Sequence, residues 1–96
     1  MAVVADIAIM PVGESISLSK YVKQAIEELR KAGLKIDVGA MSTSVEAHST
    51  EEVFDAFEKA KEALFEMGVV RVYATIRIDE RRDKKITIRS KKSAVL

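Results

Sequence analysis

No cysteine occurs among the 96 residues, which excludes disulfides, thiol nucleophiles and thiolate metal sites. There is a single histidine, His48, whereas a transition-metal site needs three or four ligands. The formal net charge is only +1, so no global field draws the chain to nucleic acid or to an anionic membrane. No apolar run approaches the ~20 residues that a membrane helix needs. The opening MAVVADIAIMPVG lacks the basic flank of a signal peptide. These absences point to a soluble, intracellular chain, expected in the cytoplasm.

What is present is alternation. From Val70 to Ile78 every second residue is aliphatic, with Arg71, Tyr73, Thr75 and Arg77 between them. Side chains alternate across a strand, so this stretch predicts a strand with one dry face and one hydrogen-bonding face. Ala2 to Met10 alternates in the same way, and Pro11-Val12-Gly13 ends it. Lys35 to Met41 and Ser42 to His48 read as two further strands joined near Gly39 to Ser42.

Two helices separate these strands. In the first, Leu18, Tyr21, Val22, Ala25, Ile26, Leu29 and Ala32 recur at three- and four-residue steps. Ser15 and Ser17 are candidate N-caps, and Gly33 is the expected stop. The second opens on Ser49-Thr50-Glu51-Glu52, which has capping-box spacing. Val53, Phe54, Phe57, Ala60, Leu64 and Met67 give it an apolar stripe, and Gly68 closes it. Residues 86–96 form a C-terminal extension for which a short strand or a helical turn fits equally.

The order is βαββαβ in one domain spanning residues 1–96. Right-handed crossovers place both helices on one face of the sheet. This predicts an α+β fold, the ferredoxin-like two-layer sandwich, with an antiparallel four-stranded sheet in the order 4-1-3-2. The opposite sheet face collects Val4, Asp6, Ala8, Met10, Asp37, Met41, Glu46, His48, Arg71, Tyr73, Thr75 and Arg77. With no third layer expected in the chain, another subunit is expected to cover that face.

Each candidate site has a plainer reading beside it. Arg71, Tyr73 and Thr75 suit a polar ligand, or else a sheet surface held by cross-strand pairs. Glu46 and His48 point the same way on one strand but lack further metal ligands. Arg81, Arg82, Lys84 and Lys85 are interleaved with Asp79, Glu80 and Asp83, so a salt-bridged tail is expected there, not a phosphate site. RNA-binding sheets of this fold stack bases on aromatics of the central strands, and these strands have none. Ser15, Ser17 and Ser19 precede a helix, where they serve an anion or cap the helix. No acid–base pair, nucleophile elbow or glycine-rich phosphate loop is visible, so no catalytic residue, cofactor or metal is expected and the chain is not read as an enzyme.

Several segments together resemble the YkoF-like thiamine-binding family of small ferredoxin-like domains. They are Pro11-x-Gly13, Ser17-Leu-Ser19-Lys-Tyr21-Val22, Met41-Ser-Thr43-Ser-Val45-Glu46, Gly68-x-x-Arg71-Val72 and Ile76-Arg-Ile78-Asp79-x-Arg81-Arg82-Asp83. The family's Pro-Met-Gly-Thr is Ala40-Met41-Ser42-Thr43 here, and its glycine after the glutamate is Ala47. The resemblance implies a non-catalytic binder of thiamine or its hydroxymethylpyrimidine half, acting as a homotetramer built from dimers. The implied ligand-binding residues are Ser17, Met41, Thr43, Glu46 and Arg71. On chemical grounds Glu46 would accept from an exocyclic amine, Thr43 or Ser17 would bond a ring nitrogen, and Met41 would lie on the ring face. A carboxylate from Glu46 or Asp6 would suit the thiazolium charge. The alternative is a structural or interaction module whose sheet face serves only subunit assembly.

Overall fold

Val3, Ala5, Ile7 and Ile9 all point to one side of a nine-residue strand, β1 (Val3–Pro11), and all four are buried. β1 is the centre of the computed structural model, which describes residues 2–13 and 18–96. It pairs antiparallel with β3 (Thr43–Ala47) on one side and with β4 (Val72–Glu80) on the other. β2 (Lys35–Val38) completes the sheet as a hairpin with β3, giving the order β2-β3-β1-β4. This is the expected ferredoxin-like arrangement.

α1 (Ser19–Lys31) and α2 (Thr50–Glu66) lie on the inner face. Tyr21, Ala25 and Leu29 from α1, with Val53, Ala56, Ala60 and Leu64 from α2, close on Val3, Ala5, Ile7, Val45 and Ala47. Stripes of this kind turn intrinsic helix propensity into tertiary stability, because each fully buried Val, Leu or Ile side chain adds roughly 1.5–3 kcal/mol. The helices stop where glycine permits a left-handed turn, at Gly33 (φ 84°) and Gly68 (φ 92°). Leu18 is the N-cap position of α1, and it has no side-chain capping bond. Ser15 and Ser17 lie outside the described residues.

Ser49 caps α2 as its spacing predicts, its hydroxyl accepting from the Glu52 N–H at 3.3 Å. The Glu52 carboxylate reaches one residue further back than a strict capping box, accepting from the His48 N–H at 3.2 Å. β4 runs two residues later than the alternation suggests. Its ladder with β1 continues through Asp79 and Glu80, which face Val4 and Val3, so the partner's length sets the end of the strand.

The expectation that the chain has no third layer fails. The C-terminal extension forms a third helix, α3 (Ile88–Ser93), and this helix lies on that face. Ile86 and Ile88 bury themselves with Val4 in a small second core. Thr87 and Ser90 form a reciprocal capping box that starts the helix. Lys92 pairs with Asp37 on β2, and Lys91 pairs with Asp79 on β4, so the helix is tied to both edge strands. The chain supplies part of its own cover, and the rest of the face, around Asp6, Tyr73, Thr75 and Arg77, stays uncovered.

Candidate functional site

The hairpin and α1 enclose a cavity of about 300 Å³ at the C-terminal end of β1. Ile7 and Ile9 come from β1, Val22, Ala25, Ile26 and Leu29 from α1, and Val38 to Thr43 from the hairpin. The hairpin is narrow because the Gly39 N–H donates to the Ser42 carbonyl at 2.9 Å. A Cβ on Gly39 would lie 2.8 Å from that same oxygen, so only glycine allows the approach. Ala40 and Met41 form the tip, and Met41 is 90% exposed. Thr43, by contrast, is 6% exposed on the inner face, opposite Ile7 and Val38.

Among the described residues, Met41 and Thr43 are thus the expected ligand residues that the fold brings together. Small-molecule pockets are mostly apolar with a few placed polar groups, and this one has that character. Its lining holds aliphatic and methionine side chains, Thr43, Ser42 and the polar backbone of the turn. Among the described residues the lining contains no titratable side chain. A flat ring fits between such walls and can bond a hydroxyl at its edge.

Glu46 is elsewhere. It is three residues from Thr43, so strand alternation puts it on the outer face, towards the other end of the sheet. It is 4% exposed beneath α3, and its Oε1 accepts from the Ile88 N–H at 2.7 Å. That bond satisfies one of the free donors at the start of α3. Arg71 is exposed and has no ion pair among the described residues. Its carbonyl accepts from the Val12 N–H at 2.8 Å, which places it at the hairpin end of the sheet, across β1 from the turn. Ser17 lies outside the described residues. His48 is exposed, and among the described residues no group of three acidic, histidine or cysteine side chains could hold a metal ion.

The outer face has a charged centre that pairwise reading of the sequence missed. Arg77 grips Asp6 through two parallel bonds, Nε to Oδ1 at 2.9 Å and Nη2 to Oδ2 at 2.6 Å. Ser42 donates to the same carboxylate at 2.9 Å. The Arg77 guanidinium holds the Asp6 carboxyl below the usual carboxylate range, against the opposing effect of burial. In the tail, Arg81 pairs with Asp83 and Arg82 with Glu80, as the interleaved charges suggest. The residues that sequence reasoning left out of the cavity are Val22, Ala25 and Ile26. They belong to the apolar stripe of α1, and only the position of the hairpin shows that part of the stripe faces an opening.

Residues 5–96 match the family described as thiamine-binding protein. The UPF0045 protein MJ1052 of Methanocaldococcus jannaschii is 42% identical over 93 residues, covering 97% of this chain and 91% of that protein. Its crystal structure superposes with a TM-score of 0.89, over 97% of this chain and 94% of that one. The UPF0045 protein YqgV of Bacillus subtilis is 37% identical over 97 residues, covering 96% and 92% of the two chains. The crystal structure of TM0486 from Thermotoga maritima, provisionally described as a thiamine biosynthesis/salvage protein, superposes with a TM-score of 0.81. It is 29% identical, covering 98% of each chain.

Proposed function

The chain belongs to the thiamine-binding protein family, and on that premise we propose that it binds thiamine or its hydroxymethylpyrimidine half in the hairpin cavity. It does so without catalysis, as a cytoplasmic homo-oligomer, with the tetramer of paired dimers as the expected form. The observation that carries this reading is the meeting of Met41 and Thr43 on one cavity whose walls from β1 and α1 are apolar. The Met41 thioether covers the face of the pyrimidine, and the Thr43 hydroxyl bonds its edge. The family resemblance also implies a ligand-binding role for Ser17. Arg71 stands outside the cavity at the same end of the sheet, and Glu46 lies on the opposite face beneath α3.

Titration with hydroxymethylpyrimidine, followed by amide NMR, tests the location. Shifts are expected at Gly39 to Thr43 and along Val22 to Ile26, with little change around Ile88. Shifts confined to the α3 side would move the site to Glu46.

A second reading, a module for subunit assembly alone, is favoured by the uncovered outer face around Tyr73, Thr75 and Arg77. Thr43→Val separates the two. A binder loses affinity for the pyrimidine while its assembly persists, whereas an assembly module shows no ligand effect.

A further inference from the structure

β2 and α3 leave an open groove of about 530 Å³ between them, and it shares no lining residue with the hairpin cavity. From α3 come Arg89, Lys92 and Ser93, with Leu96 just beyond the end of the helix. Steps of three and four residues put these on one side of it. Ile88 gives the groove an apolar floor. The charges on its walls do not balance. Asp37 of β2 is the only acidic side chain in the lining among the described residues, and Lys92 already pairs with it. Lys35 and Arg89 are exposed, and among the described residues neither has an ion pair. Two cations on the groove are thus left without an anion.

The edge of β2 adds a neutral donor. The Gly39 N–H bonds the Ser42 carbonyl, so these two residues form a hydrogen-bonded pair of the hairpin. Bonded and non-bonded pairs alternate along an antiparallel ladder. Lys35 and Asp37 therefore bond β3, while Ile36, opposite Val45, turns its N–H and C=O away from it. β2 is the last strand on this side, so no strand takes up these groups. The Ile36 side chain packs against the main core, which leaves its backbone for the groove.

We propose that this groove is a second binding site, for a small organic carboxylate with an apolar body. The Arg89 guanidinium offers a planar fork that matches both carboxylate oxygens, and Lys35 supplies a second positive charge. The outward N–H of Ile36 donates to the same group. The apolar body lies along Ile88 and Leu96. A mostly apolar wall with a few placed polar groups is the usual make-up of a small-molecule site, and the volume is in the usual range. Inorganic phosphate meets the cations but leaves Ile88 and Leu96 uncovered, and an apolar cation is repelled by Lys35 and Arg89. The site is independent of the pyrimidine reading.

Titration of the full chain with octanoate, followed by amide NMR, is the test. Saturable shifts are expected at Ile36, Arg89 and Ser93, with Gly39 to Thr43 unmoved. Lys35→Gln and Arg89→Gln, both at exposed positions, should keep the fold. Each should raise the octanoate dissociation constant about three- to fivefold, and the double variant about tenfold or more. Added salt should weaken binding in the wild type more than in the double variant. 1-Octanol, with the same apolar body and no charge, should bind about tenfold more weakly than octanoate. The proposal is overturned by the absence of saturable shifts, by shifts centred on the hairpin, by equal affinity for octanoate and 1-octanol, or by an affinity unchanged in the double variant. The hairpin amides report the pyrimidine site separately, so failure of either reading leaves the other standing.

Discussion

Ser42 reaches across the β1–β3 ladder to donate its hydroxyl to Asp6 Oδ2 at 2.9 Å, while Arg77 of β4 holds the same carboxylate from the other side. Three strands are thereby tied on the outer face. Ser42 also lines the hairpin cavity, so the tie fixes one wall of the candidate site. Where the thiamine-binding sequences resembled by this hairpin have glycine, this chain places the hydroxyl that makes the bond.

The tie predicts an acid-sensitive term in stability. The Asp6 carboxyl is more acidic folded than unfolded, because Arg77 and Ser42 favour its charged form. Arg81 does the same for Asp83, lowering it from an ordinary 3.8 to about 2. A depressed carboxyl contributes its stability above the unfolded pKa and loses it as pH falls through the folded value. The melting temperature should therefore fall as pH drops from about 4 towards 2, and Asp6→Asn should flatten part of that fall. Equal slopes for wild type and Asp6→Asn would show that the tie contributes nothing measurable.

Glu46→Ala should cost about 1–3 kcal/mol, because it leaves the buried Ile88 N–H without its acceptor. Glu46→Gln keeps a carbonyl oxygen in place and should cost less. Chemical denaturation of the two variants checks this. If both cost the same, the bond to α3 is not the reason for burying the glutamate.

Gly39→Ala should distort the hairpin, since its Cβ would meet the Ser42 carbonyl at 2.8 Å. Faster hydrogen exchange at the Gly39-position amide and weaker ligand binding are the expected results. Unchanged exchange would mean that the turn relaxes without cost.

Leu64→Ala and Leu29→Ala remove side chains that are at most 1% exposed, and each should cost about 2–5 kcal/mol. Met67→Ala, at the partly exposed end of α2, should cost less. Denaturant midpoints give the comparison directly.

Much of this architecture is legible in the chain because its signals are local. The alternation of Val3, Ala5, Ile7 and Ile9, the stripes of α1 and α2, and the stops at Gly33 and Gly68 depend on neighbours a few residues away. α3 was harder to read. Its apolar part is only Ile86 and Ile88, and its fixed position depends on Glu46, Asp37 and Asp79, which lie far off in sequence. The Thr87-x-x-Ser90 cap was the available signal. For the site, hairpin chemistry pointed to Met41, Thr43 and Glu46 together, but the odd spacing between Thr43 and Glu46 already puts them on opposite faces. The contribution of Val22 and Ile26 depends on tertiary placement, which no window of sequence contains.

Calorimetry of the folded wild-type chain against thiamine and hydroxymethylpyrimidine tests the central claim most directly. The expected result is saturable heat with one ligand per chain, and an affinity lowered roughly five- to tenfold in Thr43→Val through loss of the edge hydrogen bond. Absence of heat at millimolar concentrations of both ligands, with the protein shown to be folded, would contradict it.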